Sequence, residues 1–280
     1  MLKGGRRGAS IKSVDPDELS QVHLYILNNV DEVQASIAAH KEAVRKENHR
    51  MTEQRLIREH NRTFAHWFKQ KVEGEECVSD TIKWLARGLE VDVISWNSYV
   101  INGYTFYTKS LDDRSTVQKS GVMLEAESMH FSSSKDKSPL KAVMPYYGVI
   151  EEIWEVDYVK IRFPIFKCKW VNVNNGVRID RLGFTLVDVN GRSFGDEPFI
   201  MADQAKQVFY ITDQENKMWS VALQGKRVID IDEEMNSNYG IPESTPFSRG
   251  LPDMNEEDEA DNEPGIRSDH QEGIWEDISL

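Results

Sequence analysis

The sequence predicts an α+β fold: an N-terminal helical region, then a mainly antiparallel β-sheet or small β-barrel, then an acidic disordered tail. Three observations carry this prediction. Apolar residues recur at helical spacing up to Gly88 and at a period of two beyond it. Short aromatic-rich runs broken by turn signals fill residues 146–223. Residues 230–280 are rich in acids, Pro, Gly, Ser and Asn and hold few apolar groups, too few to offset the entropy of ordering.

Residues 1–14 read as a flexible arm. Asp15-Pro16 starts a helical region over 15–88, with Asp as cap and Pro suited to the first turn. Leu19, Val22 and Ile26 form its first apolar stripe, which Asn28-Asn29 interrupts. Asp31 is the expected cap of a second helix with Val33, Ile37 and Val44 inward. Thr52 opens a third, striped by Leu56, Phe64, Trp67 and Phe68 and ended by Gly74. Ser79 and Asp80 start a fourth, which Gly88 closes.

Residues 89–145 read as a hairpin and linker region. Asn102-Gly103, between Tyr99-Val-Ile and Tyr-Thr-Phe-Tyr107, is a hairpin turn because both residues accept positive φ. Another strand is expected over 121–127 and a polar loop over 132–139. A β-rich domain follows over 146–229, with strands at 147–156, 158–163, 165–172, 183–189, 206–212 and 217–223 and a short helix within 198–205. Closure into a barrel would remove exposed edges.

Charge is unevenly placed. The chain carries −13 overall, but residues 253–280 hold eleven Asp/Glu against one Arg, and residues 230–252 hold five acids against one Arg. The remainder is close to neutral, so the net charge does not exclude a nucleic-acid partner. No apolar run is long enough for a membrane helix, and Met-Leu-Lys-Gly-Gly-Arg-Arg-Gly lacks a secretory apolar core. Two cysteines, Cys77 and Cys168, make no disulfide framework.

Catalytic patterns are not seen. The seven histidines form no metal-binding spacing, and they read as surface residues. There is no Gly-x-Ser-x-Gly elbow and no phosphate-binding glycine loop. Cys168 lies in a strand between Phe166 and Trp170 and reads as a core thiol. The expectation is a chain without enzyme activity, cofactor, metal or small-molecule substrate.

Nucleic-acid binding is the strongest local chemistry. Lys41, Arg45, Lys46, Arg50, Arg55, Arg58, Arg62, Lys69 and Lys71 stand against four glutamates within residues 41–72. Arg55, Arg58 and Arg62 share one helical face, a ridge able to neutralise several phosphates. The competing reading is an ordinary solvated face laced by Glu53 and Glu59. The strand aromatics have two readings as well. They form a core, or Trp154, Tyr158 and Trp170 line an exposed patch for a protein partner, which burial of all three rings would count against. The acidic tail is either solubilising or a competitor for the basic face.

Ser20-Gln-Val-His-Leu-Tyr-Ile-Leu-Asn-Asn29, Glu59-His-Asn-Arg-Thr-Phe64 with Trp67-Phe68, and the stretch 146–223 resemble plant CACTA (En/Spm-type) transposon proteins. The resemblance covers most of the chain. It places a transposase-associated domain of unknown function at about 145–223, downstream of the transposase core. In that family DNA cleavage is assigned to a separate RNase-H-like core with an acidic triad, which no segment here resembles. The resemblance therefore implies no catalytic residue. It implies a C-terminal transposase fragment, either a decayed copy or a retained nuclear accessory module. The partners it implies are DNA, a transposase subunit or a host nuclear protein, with no membrane. The start at Met1-Leu-Lys suggests truncation within a longer reading frame.

Overall fold

The computed structural model describes residues 6–7, 9–130, 140–191, 193–194, 197–214, 216–225 and 266–267. Most of the acidic tail and the 132–139 loop thus lie outside the described residues. Strands β1 (Arg6–Arg7) and β2 (Ser10–Ser13) precede α1 (Pro16–Asn29), and a 3₁₀ turn at Asp31–Val33 leads into α2 (Gln34–Glu47). Next come α3 (Glu53–Glu73), α4 (Asp80–Arg87), β3 (Asp92–Trp96), β4 (Ser98–Ile101), β5 (Tyr104–Tyr107) and a short α5 (Lys109–Asp112). The longer strands are β6 (Gly121–His130), β7 (Leu140–Asp157) and β8 (Arg162–Val171). The remaining strands are β9 (Val177–Ile179), β10 (Thr185–Val187), β11 (Ser193–Phe194), β12 (Phe199–Met201), β13 (Lys206–Thr212), β14 (Ser220–Gln224) and β15 (Ile266–Arg267).

The helix starts follow from local chemistry. The Asp15 carboxylate accepts from Asp17 N, Thr52 Oγ1 from Arg55 N, and Ser79 Oγ from Ile82 N, each satisfying an amide that the helix leaves open. Gly88 closes α4 at φ 93°, where a β-carbon would be strained. Asp31 departs from its expected role: it begins the 3₁₀ turn, and α2 starts at Gln34 with no side-chain cap. The Gln34 amide instead donates to Asn28 O at 2.7 Å, which ties α2 to the end of α1.

Every strand pairing among the described residues is antiparallel. β1, β4 and β5 form one small sheet; the other twelve strands form a second, running β11-β8-β7-β6-β13-β14-β10-β9 with β2, β3, β12 and β15 added at its sides. The sheet does not close into a barrel. β13 meets β6 only at Lys206 and Gln207 before continuing along β14, so the path ends at separate strands, β9 and β11. Asn102 at φ 53° and Gly103 at φ 76° make the β4–β5 turn as expected.

Several expected elements shift. The arm is not wholly loose: Ser10–Ser13 pairs with β3, and Lys12 forms an ion pair with Glu152 at 2.5 Å. The strand expected over 158–163 is mostly a turn, because Asp157 Oδ1 takes the Val159 amide at 2.6 Å and the chain reverses there. No helix forms in 198–205. Phe199 and Ile200 alternate into two different cores, and a strand satisfies that alternation by pairing with β8.

A β-bulge decides which side chains face the helices. The β7–β8 register slips between Ile150 and Glu152, so Ile150 and Ile153 share one face while Trp154, Val156 and Tyr158 share the other. The helical layer packs on that second face: Val22, Ile26, Phe64, Phe68 and Leu85 join Trp154, Tyr158 and Ile165 in one core. The opposite face buries Phe106, Phe166, Cys168 and Trp170 beneath the β4–β5 hairpin. A third cluster joins Met123, Tyr147, Val187 and Val208.

Candidate nucleic-acid interface

Helix α3 is about 31 Å long at the ordinary rise per residue. It buries Leu56, Ile57, His60, Phe64 and Phe68 against α1 and α2. That packing turns Arg55, Arg58, Arg62 and Lys69 outward, and all four are exposed. On and after α2, Arg45, Lys46 and Arg50 are exposed, while Lys41 is half-buried. Arg55, Arg58, Arg62 and Lys69 therefore lie on the face of α3 opposite its buried stripe, while Lys41 and Lys71 do not share that exposed face.

Acidic neighbours lace part of this surface. Arg45 meets Glu53 at 2.6 Å, Lys46 meets Glu42 at 2.7 Å and Arg62 meets Glu59 at 2.5 Å. The Arg62 hydrogen bond holds the Glu59 carboxylate below its ordinary pKa and Arg62 above its own. Lys71 is turned aside: it bonds Ser36 Oγ at 3.2 Å and sits over the Trp67 ring at 5.4 Å. These exposed pairs are individually weak, so they set local order without removing the cations from solvent. The surface centres on Arg55, Arg58 and Arg62.

The three aromatic candidates are in the core. Trp154 and Tyr158 have no exposed surface and Trp170 has 2%. The reason is layering: helices cover the Trp154 and Tyr158 face, and the β4–β5 hairpin covers Trp170. They form no patch for a partner. Cys168 shares the buried face of Phe166 and Trp170, as alternation requires, and Lys167 points to the other side to meet Glu18 at 2.5 Å.

Three histidines correct the expectation of surface residues, while His49 and His66 are exposed as expected. His40 and His60 are buried, with Nδ1 atoms 2.8 Å apart. His23 Nδ1 lies 2.8 Å from the Tyr158 hydroxyl, and burial pushes its pKa down to about 4. The signal was available in part, since His60 falls four residues before Phe64 on the apolar stripe of α3. Among the described residues no three His, Cys, Asp or Glu come together in an arrangement able to hold a metal ion.

The geometry defines an α+β protein in which a helical layer, basic on its outer side, covers one face of an open antiparallel sheet. Residues 154–222 match the domain of unknown function DUF4216. That match runs from Trp154 in β7 to Ala222 in β14, so the helices bearing the candidate cations lie outside it. No curated protein and no solved structure matches the chain.

Proposed function

We propose that this chain is a transposase-derived accessory module without its own catalysis, of the plant CACTA (En/Spm) type, acting in the nucleus by contacting duplex DNA. The observation that carries the proposal is the outward face of α3, where packing of Leu56, His60 and Phe64 leaves Arg55, Arg58 and Arg62 exposed together. Three guanidinium groups along one helix face suit the phosphates of a duplex, and each contact would release counterions. The DUF4216 match and the sequence resemblance to transposon proteins support the lineage.

The test is fluorescence anisotropy of a labelled duplex with the full chain and with Arg55→Glu, Arg58→Glu, Arg62→Glu combined, at two salt concentrations. The proposal expects salt-sensitive binding by the native chain, and loss of both affinity and salt slope in the variant. Unchanged affinity in the variant would overturn it.

A further inference from the structure

We propose a second nucleic-acid contact, separate from the α3 face, in the groove between α4 and the β7–β8 turn: a seat for an unstacked nucleotide of a single strand. The groove has a volume of about 600 Å³. Lys83, Trp84 and Arg87 line one wall from α4, and Lys160 and Ile161 line the other from the turn. The inference goes beyond the duplex reading and does not depend on it.

The walls are fixed relative to each other. Leu85 of α4 is fully buried in the core beneath, with Ile82, Trp84 and Ile161 packed against that core. Just past α4, Glu90 N donates to Asp157 O at 2.9 Å, which joins the end of the helix to the start of the turn. The turn itself is locked. Lys160 N donates to Tyr158 O at 2.9 Å, Tyr158 N to Ile161 O at 2.9 Å, and the Tyr158 hydroxyl meets His23. Val159 at its tip takes φ 72°, a strained conformation for a β-branched residue. Strain of this kind persists only where the surroundings over-determine it, and here it sets Lys160 opposite α4.

The chemistry is that of phosphate plus base. Lys83, Arg87 and Lys160 face the groove against one carboxylate in its lining, Asp80. Lys83–Asp80 at 3.5 Å and Arg87–Glu90 at 3.6 Å are long, exposed pairs that an anion can displace. Among the described residues Lys160 has no ion-pair partner. The Arg87 guanidinium carbon lies 5.6 Å from the half-buried Trp84 ring. The guanidinium lies over the indole, so its outer plane is the stacking surface offered to a base. In a duplex the bases are stacked away from such a surface; in a single strand they are free to reach it.

The experiment uses the full chain, a labelled oligothymidylate of about twelve nucleotides and the labelled duplex. Lys83→Glu with Lys160→Glu is compared with the native chain and with the triple reversal on α3. Both groove lysines are exposed, so their replacement leaves the core intact, which a thermal melt verifies. The groove variant is expected to lose about tenfold in single-strand affinity while holding the native duplex affinity. The α3 variant is expected to keep its single-strand affinity. No single-strand binding by the native chain at low salt would overturn the proposal. So would a groove variant with unchanged single-strand affinity, or equal losses on both ligands. A native chain that binds the single strand and not the duplex would overturn the α3 reading alone.

Discussion

His40 and His60 share a single hydrogen bond between their Nδ1 atoms, 2.8 Å apart, and the surroundings decide which ring donates. Thr63 Oγ1 donates to Glu59 O at 2.7 Å, so toward His40 Nε2, at 3.3 Å, it acts as acceptor. His40 therefore carries its proton on Nε2 and accepts at Nδ1, and His60 donates from Nδ1. That leaves His60 Nε2 as a bare lone pair, buried and unpartnered beside Phe64.

This arrangement predicts acid sensitivity. Burial, then the Lys41 charge and His40, push the His60 pKa down from 6.5 to about 3, and burial lowers that of His40. A base whose folded pKa is depressed binds fewer protons folded than unfolded, so stability falls as pH drops below the unfolded value. The decline begins near pH 6.5 and continues toward the folded value of about 3. His60 alone should cost about 2 kcal/mol between about pH 8 and about pH 5. Urea unfolding at the two pH values measures this. His23, also held well below 6.5, adds a comparable loss. His60→Phe should therefore remove about 2 kcal/mol of the measured difference and leave the rest. An undiminished slope in the variant contradicts the assignment.

Trp154 should behave as a core residue in every assay. Its ring is fully buried, Lys12 and Lys167 lie over it at 5.0 and 5.6 Å, and its indole N–H donates to Glu152 at 2.9 Å. Trp154→Ala should destabilise the fold by about 3–5 kcal/mol through the cavity it leaves. A variant of near-native stability by urea unfolding would show that the layer above it is not packed.

The helical half of the fold was legible because its signals are local. Asp15, Thr52, Ser79 and Gly88 act through neighbours within a few residues, and the Asn102-Gly103 turn needs nothing beyond itself. What was not legible depends on distant partners. Ser10–Ser13 becomes a strand because β3 offers it an edge, and Glu152 across the sheet holds Lys12. The bulge before Glu152 reverses which of the β7 residues meet the helices, and period-two counting cannot show a one-residue slip. The basic ridge was visible as spacing on α3. The α4 groove was not, because Trp84 and Lys160 are brought together only by the fold.

Val159 gives a prediction of opposite sign. Its φ of 72° is costly for a branched side chain and ordinary for glycine. Val159 is also partly exposed, so little packing is lost on removing it. Val159→Gly should stabilise the fold by about 1 kcal/mol, the relief of strain exceeding the extra entropy of the unfolded glycine. A lower urea midpoint would show that the isopropyl group contributes contacts outweighing its strain. If the turn holds Lys160 for a ligand, the same variant should gain stability and keep its single-strand affinity, because glycine adopts the same φ without strain.

Gly148 marks a tight point of the β6–β7–β8 layer. A β-carbon there would lie 2.7 Å from Cε3 of Trp170 and 2.8 Å from Lys169 O. Neither neighbour has freedom to withdraw: the ring is buried under the hairpin, and the carbonyl belongs to the strand backbone. The Tyr210 hydroxyl also donates to Gly148 O at 2.8 Å and fixes the peptide from the far side. Gly148→Ala should therefore cost about 1–3 kcal/mol by overpacking, although alanine favours a strand more than glycine does. Gly148→Val should cost more, since its branches press further into the indole. Urea unfolding of the two variants orders them. A Gly148→Ala protein within about 0.5 kcal/mol of the native chain would mean that β8 shifts freely against β7. The buried Trp170 would then be held by the hairpin above it rather than by the sheet beneath.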